Sequence, residues 1–259
     1  MNLKKNPRFR VNLMGHVIAR EPDAATTEKM VEIMVEAGAS VIEVQIPFSE
    51  PTADGPVFLR ANHRALENGA TYDNSMELVG KLIRRFGDRC DFLVMTYLNI
   101  PYQRGYLSWA KDLRRLGVKG TIIPDLPIEH GAAYEEALRE EGLFNVRLVA
   151  PHGDWERTAK ILQGAQGLVY GVARRGVTGD KSAFDEGLYD YLRQLKSLSP
   201  CPLAIGFGIQ SRQAVEELAP YVDWVVVGTA SLVAWQKGQE SGLKSLWSEL
   251  AQGALHPAV

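Results

Sequence analysis

Eight short runs rich in branched and aromatic residues punctuate this chain: VNLMGHVI, SVIEVQI, DFLVMTY, GTIIPD, FNVRLVA, GLVYGV, PLAIGF and DWVVVG. Helix-like stretches separate them, and such an alternation specifies a parallel sheet assembled from βαβ units. The first of these stretches, about positions 24 to 37, places Met30, Val31, Met34 and Ala37 on one apolar stripe. Gly38 then stands where a helix commonly stops, and Gly117 and Gly142 repeat the signal ahead of later β runs. No linker, low-complexity tract or charge block divides residues 1–259. Eight βα units in this length match a single (β/α)8 TIM barrel, an α/β domain of about 250 residues. An open doubly wound sheet would want a GxGxxG turn after the first run, and LMGHVIAREPD lacks it.

Composition narrows the function classes. The formal charge of −2 leaves no basic excess for phosphate neutralisation along a nucleic acid. The two cysteines, Cys90 and Cys201, have no CxxC neighbour, which disfavours a zinc site or a disulfide framework and suits a reducing cytoplasm. The five histidines show no HxH or HExxH spacing, so no metal is expected. No apolar run approaches the ~20 residues of a membrane span, and the first ten residues lack a signal-peptide core. The chain reads as cytoplasmic.

A barrel of this type carries its site at the C-terminal ends of its strands. The second run supplies Glu43 and the loop PFSEPTADGP; the third supplies Tyr97 and Asn99; the fourth, Pro124 and Asp125; the sixth, Tyr170 and the loop RRGVTGD. The seventh ends in Gly206, Phe207 and Gly208, and the eighth in Gly228 and Thr229. Glycines in two consecutive loops let backbone N–H groups approach an anion, and a helix starting near Thr229 would aim its positive end at it, so a phosphate site is expected there. The loop containing Gly176, Thr178 and Gly179 is a candidate lid. By strand alternation Glu43, Gln45 and Pro47 share one face and Val44 and Ile46 the other. If the apolar pair packs against helices, Glu43 points into the barrel, where an unpaired carboxyl has a raised pKa and suits acid or base work. The alternative is a glutamate bonded to polar neighbours. Asp54, in TADGP, reads equally well as a turn-former bonding its own backbone.

Several of these segments are similar to motifs of the tryptophan synthase alpha subunit family. IPFSEPTADGP resembles that family's IPFSDPxADGP signature and MTYLN its MTYYN; PDLPIEH, RRGVTGD, and GFGI with VVGTA resemble further family segments in the same order. The resemblance implies a lyase that cleaves indole-3-glycerol phosphate to indole and glyceraldehyde 3-phosphate, with no cofactor of its own. It implies catalytic roles for Glu43 and Asp54, substrate contacts from Tyr97, Ile122, Tyr170 and Thr178, and phosphate contacts from Gly179, Gly208, Gly228 and Thr229. It also implies a partner, a pyridoxal-phosphate beta subunit that receives indole through a tunnel in an α2β2 complex. Three positions depart from the family pattern: Gln45 stands where glycine is usual, His16 where an aromatic often lines the indole pocket, and Glu50 where aspartate is common. They keep two alternatives open, a related barrel lyase acting alone on another phosphorylated substrate and a mainly regulatory subunit.

Overall fold

The computed structural model of the chain describes residues 2–151, 154–172, 184, 186–206 and 208–256. Strand and helix alternate as the sequence pattern demands. β1 (Asn12–Ile18) leads to α1 (Ala24–Glu36), β2 (Val41–Gln45) to α2 (Pro56–Glu67) and α3 (Tyr72–Phe86), and β3 (Asp91–Met95) to α4 (Asn99–Arg104) and α5 (Tyr106–Leu116). β4 (Gly120–Ile122) is followed by a 3-10 turn and α6 (Ala132–Glu140). β5 (Phe144–Asn145) and β6 (Arg147–Val149) precede α7 (Trp155–Leu162), β7 (Val169–Val172) precedes α8 (Glu186–Leu198), β8 (Leu203–Gly206) precedes α9 (Arg212–Leu218), and β9 (Trp224–Val227) precedes α10 (Thr229–Ala254).

The sheet order is β5-β4-β3-β2-β1-β9-β8-β7-β6, with every strand pair parallel. Its two ends, β5 and β6, are separated in the chain by Val146 alone. Residues 144–145 pair with β4, the Val146 N–H still donates to the Thr121 carbonyl at 2.8 Å, and from Arg147 the chain pairs with β7. The nine strands are therefore eight staves, one of them broken where the barrel closes, and the expected TIM barrel is the fold observed.

The strand faces divide the core into two layers. Ile42, Val44 and Ile46 belong to the large cluster shared with helix residues such as Met34, Val79 and Leu82. Val41 belongs to a separate inner cluster with Met14, Leu93, Met95, Tyr97, Ile122, Phe144, Ala204, Trp224 and Val226. The alternation along β2 thus turns Val41, Glu43 and Gln45 inward, as the sequence pattern implies. The three stop glycines all take positive φ, Gly38 at 105°, Gly117 at 91° and Gly142 at 69°, a region that costs glycine little and other residues more. Each returns the chain from a helix to the next inward-facing strand.

Among the described residues no helix is long and apolar enough to cross a membrane, and no group of three His, Cys, Asp or Glu side chains is arranged to hold a metal ion.

Candidate active site

Parallel register stacks the inward residues at the C-terminal end of the barrel. His16 on β1 lies opposite Glu43 on β2, which lies opposite Leu93 on β3; two residues further along, Gln45 lies opposite Met95, and Met95 opposite Ile122. The lower barrel is filled with apolar side chains, so these polar groups sit on an apolar floor beneath the loops.

Glu43 is only 3% exposed, and its Oε2 has no hydrogen-bond partner among the described residues. Burial pushes its carboxyl up to about 8, and the neighbouring charge of Asp54 adds to that rise. It is consequently protonated at neutral pH, able to give a proton before it accepts one. His16 Nε2 stands 3.7 Å from Glu43 Oε1. Burial lowers the imidazole to about 4, so both groups are uncharged at neutral pH and the contact is not an ion pair.

Asp54 reaches the same place from the loop between β2 and α2. Its backbone N–H closes a turn on the Pro51 carbonyl at 2.9 Å, so the residue does form a turn. Its side chain nonetheless points to the barrel: Oδ2 accepts from Gln45 Nε2 at 2.7 Å and from Asn62 Nδ2 at 3.4 Å. Burial raises the Asp54 pKa, while the hydrogen bonds from Gln45, Tyr97 and Asn62 oppose the rise. Asp54 also lies just ahead of α2, where Gly55 is the N-cap and Pro56 opens the helix, so the helix dipole favours a negative charge there. The two carboxyls are thus unequal. Glu43 is desolvated and has no donor among the described residues, whereas Asp54 has three, so of the two Glu43 holds a proton more readily and Asp54 carries the charge more readily.

Tyr97, Ile122 and Tyr170 all border the inner cluster beside the carboxyls. The Tyr97 hydroxyl accepts from the Ala53 N–H at 3.1 Å and its ring stacks on Phe48 with centroids 5.0 Å apart. Tyr170 is half-buried; desolvation of its hydroxyl raises it well above the ordinary tyrosine value, and the nearby charges of Glu43 and Asp54 add to the rise. Asp125 accepts from the Leu98 N–H at 2.8 Å and so ties the loops after β3 and β4 together.

Past β1 along the sheet, Gly208 follows β8 and is exposed with φ 76°, and α10 begins at Thr229 behind its N-cap Gly228, after β9. Gly228 has structural constraints of its own, since a Cβ there would lie 3.0 Å from Phe58 Cζ and 3.2 Å from His16 Nδ1. Gly206 belongs to the strand rather than to an anion loop: a Cβ there would lie 1.8 Å from the Tyr170 hydroxyl oxygen, so its missing side chain makes room for Tyr170. Gly206→Ala is expected to displace the Tyr170 ring, lower substrate turnover about tenfold or more and cost about 1–3 kcal/mol of stability; a near-UV circular dichroism difference that mirrors the activity loss checks it. The lid residues Gly176, Thr178 and Gly179, like Phe207, lie outside the described residues.

Two participants escaped the sequence reading. Asn62 is fully buried on the inward stripe of α2 with Phe58, Ala61 and Ala65, and its carbonyl oxygen accepts from the Phe48 N–H at 3.1 Å. An asparagine interrupting an apolar i, i+3, i+4 stripe was the available signal. Phe58, tilted against His16 at 4.5 Å, stood in the same stripe.

An eight-stave barrel that gathers two unequal carboxyls above an apolar floor, with a glycine-capped helix start two strands away, is an α/β-barrel enzyme site of the acid–base kind. Residues 3–253 match the family model described as tryptophan synthase alpha chain. The chain is 39% identical over 217 residues to the tryptophan synthase alpha chain of Desulforapulum autotrophicum, covering 84% of this chain and 85% of the relative. It is 37% identical over 226 residues to that of Syntrophotalea carbinolica, covering 87% and 88%. Among solved structures, Mycobacterium tuberculosis tryptophan synthase in space group F222 superposes with a TM-score of 0.86 at 32% identity, covering 95% of this chain and 93% of that one. The chain belongs to the tryptophan synthase alpha chain family.

Proposed function

We propose that the chain is a carbon–carbon lyase that cleaves indole-3-glycerol phosphate to indole and glyceraldehyde 3-phosphate, with Glu43 and Asp54 as its catalytic residues. The observation that carries the assignment of roles is the inequality of the two carboxyls. The reaction adds a proton to indole carbon 3, develops positive charge at the ring nitrogen, and breaks the bond from carbon 3 to the glycerol chain as the adjacent hydroxyl loses its proton and becomes the aldehyde. One proton enters and one leaves, and no water or redox partner is consumed.

Protonated Glu43 supplies the proton to carbon 3 and, once ionised, is the base that takes the hydroxyl proton. Ionised Asp54 stabilises the ring N–H as charge builds on it. Tyr97, Ile122 and Tyr170 contribute pocket wall, and the desolvated floor strengthens each electrostatic interaction. Gly208, Gly228 and Thr229 receive the phosphate at the start of α10.

The partner we infer is a pyridoxal-phosphate beta subunit in an α2β2 complex that receives the indole. Tyr102, 65% exposed on α4, and Leu107, 41% exposed on α5, offer apolar contact area just beyond the end of β3, at the mouth. Incubating the pure protein with indole-3-glycerol phosphate should release indole and glyceraldehyde 3-phosphate one for one, faster when a beta subunit is added. No indole with or without the partner would defeat the reading.

A further inference from the structure

We propose that Gln45 is a positioning residue: it fixes the place of Asp54 and sets the direction of a hydrogen-bond chain that runs from His16 through Gln45 to Asp54. The proposal deepens the reading of Asp54 as the ionised group at the ring nitrogen and rests on it for its catalytic consequence only.

The chain has one possible polarity. The Phe48 backbone N–H can only donate, and it points at Asn62 Oδ1 at 3.1 Å, which leaves Asn62 Nδ2 to donate to the Phe58 carbonyl at 2.9 Å and to Asp54 Oδ2 at 3.4 Å. Gln45 then faces two acceptors, Asp54 Oδ2 at 2.7 Å and Asn62 Oδ1 at 3.4 Å, so its Nε2 lies on that side. Its Oε1 lies 3.0 Å from His16 Nε2, which must carry the imidazole proton. His16 Nδ1 is left as an acceptor on the side of Gly228. Gln45 and Asn62 are both fully buried, and reversing either amide would oppose acceptor to acceptor or donor to donor.

The loop that carries Asp54 is otherwise largely exposed from Ser49 to Gly55. Gln45 on Asp54 and the Tyr97 hydroxyl on the Ala53 N–H fasten it to the barrel interior, while from α2 Asn62 bonds Asp54 and His63 Nε2 bonds the Ser49 carbonyl at 2.9 Å. The charged group is thereby placed before a ligand arrives, and the strongest donor on it comes from a rigid strand, which is what preorganisation requires. Among the described residues, the titratable groups that face Asp54 are Glu43 from β2, His16 from β1 by way of Gln45, Tyr97 beyond β3 and Tyr170 from β7; α2 adds the uncharged Asn62. Removing Gln45 takes away a donor to the charged form while desolvation stays, so Asp54 must titrate higher.

The test is the titration of the Asp54 carboxyl carbon by 13C NMR in ligand-free protein, assigned with Asp54→Asn, so it speaks even if the substrate is not indole-3-glycerol phosphate. In Gln45→Met, which keeps reach and volume without a donor, the midpoint is expected to rise by about one pH unit, a tenfold change in the ionisation constant. The acid limb of kcat against pH should follow it upward, with kcat falling more than KM changes. Gln45→Leu, which also lacks a donor and fills the space, serves if the methionine variant fails to fold and should show the same rise. His16→Phe, which leaves Gln45 held by Asn62, should shift the midpoint by clearly less. An unchanged Asp54 midpoint in a folded Gln45 variant overturns the proposal, as does a His16→Phe shift as large as that of Gln45→Met.

Discussion

Glu43→Gln is expected to lower indole release at pH 7 by about 10²- to 10⁴-fold, the range a positioned acid–base group contributes, while making the protein more stable at that pH. Both results follow from the same burial. Glutamine has nearly the shape of glutamic acid and leaves the pocket intact, but it has no proton to donate and cannot become a base. The carboxyl it replaces titrates near 4.5 in an unfolded chain and at about 8 in the folded one. Between those values the native state keeps a proton that the unfolded state has released. Stability from this group is complete below about pH 4.5, falls as pH rises through the window, and is fully lost above about pH 8. At about 1.4 kcal/mol per unit, the loss reaches about 3 kcal/mol by pH 7. Glutamine does not titrate, so the variant escapes that loss. Urea unfolding of both proteins at pH 5, 6, 7 and 8 isolates the effect, because the other titrating groups cancel in the difference. A stability gap that stays constant with pH would show that Glu43 is not held protonated by its surroundings, and an active Glu43→Gln would remove it from the proton transfers altogether.

Much of this architecture is written in local pattern. The eight β runs, the stripe on α1 and the stops at Gly38, Gly117 and Gly142 each obey a short-range rule, and eight local rules repeated in this length leave few folds besides the barrel. The inward turn of Glu43 and Gln45 follows from the two-residue period of a strand whose outer face, Ile42, Val44 and Ile46, is apolar. Register has no such local signature. His16 and Gln45 are 29 positions apart, and nothing in either segment states that β1 and β2 align His16 with Glu43 and so bring the two departures from the family pattern into contact. The break of the fifth stave at Val146 likewise depends on which neighbours β5 and β6 find, not on FNVRLV itself. Gly206 illustrates the opposite hazard: a glycine beside a phosphate-type loop invited a ligand explanation, and the Tyr170 hydroxyl supplies a steric one.

Asp54→Asn separates charge from shape at the second carboxyl. Asparagine keeps an oxygen that can accept from Gln45 Nε2, and its size leaves the turn on Pro51 undisturbed. What disappears is the negative charge beside the ring nitrogen, and loss of a preorganised charge-stabilising group of this kind costs about 10²- to 10³-fold in kcat. A second change must accompany the first. The Asp54 charge is part of what holds the Glu43 carboxyl at about 8, so its removal lowers that pKa while desolvation keeps it above the ordinary glutamate value. Because Glu43 works from its protonated form, the alkaline limb of the residual activity should move to lower pH, a shift that single-turnover indole release over pH 6 to 9 can follow. Asp54→Ala is the informative contrast: it removes the same charge but also leaves one N–H of the Gln45 amide and one of the Asn62 amide without their Asp54 acceptor, so it should lose stability that Asp54→Asn keeps. If both variants fell equally in activity but the alkaline limb stayed in place, Asp54 would be positioning substrate without sensing Glu43, and the division of proton and charge between the two carboxyls would have to be abandoned.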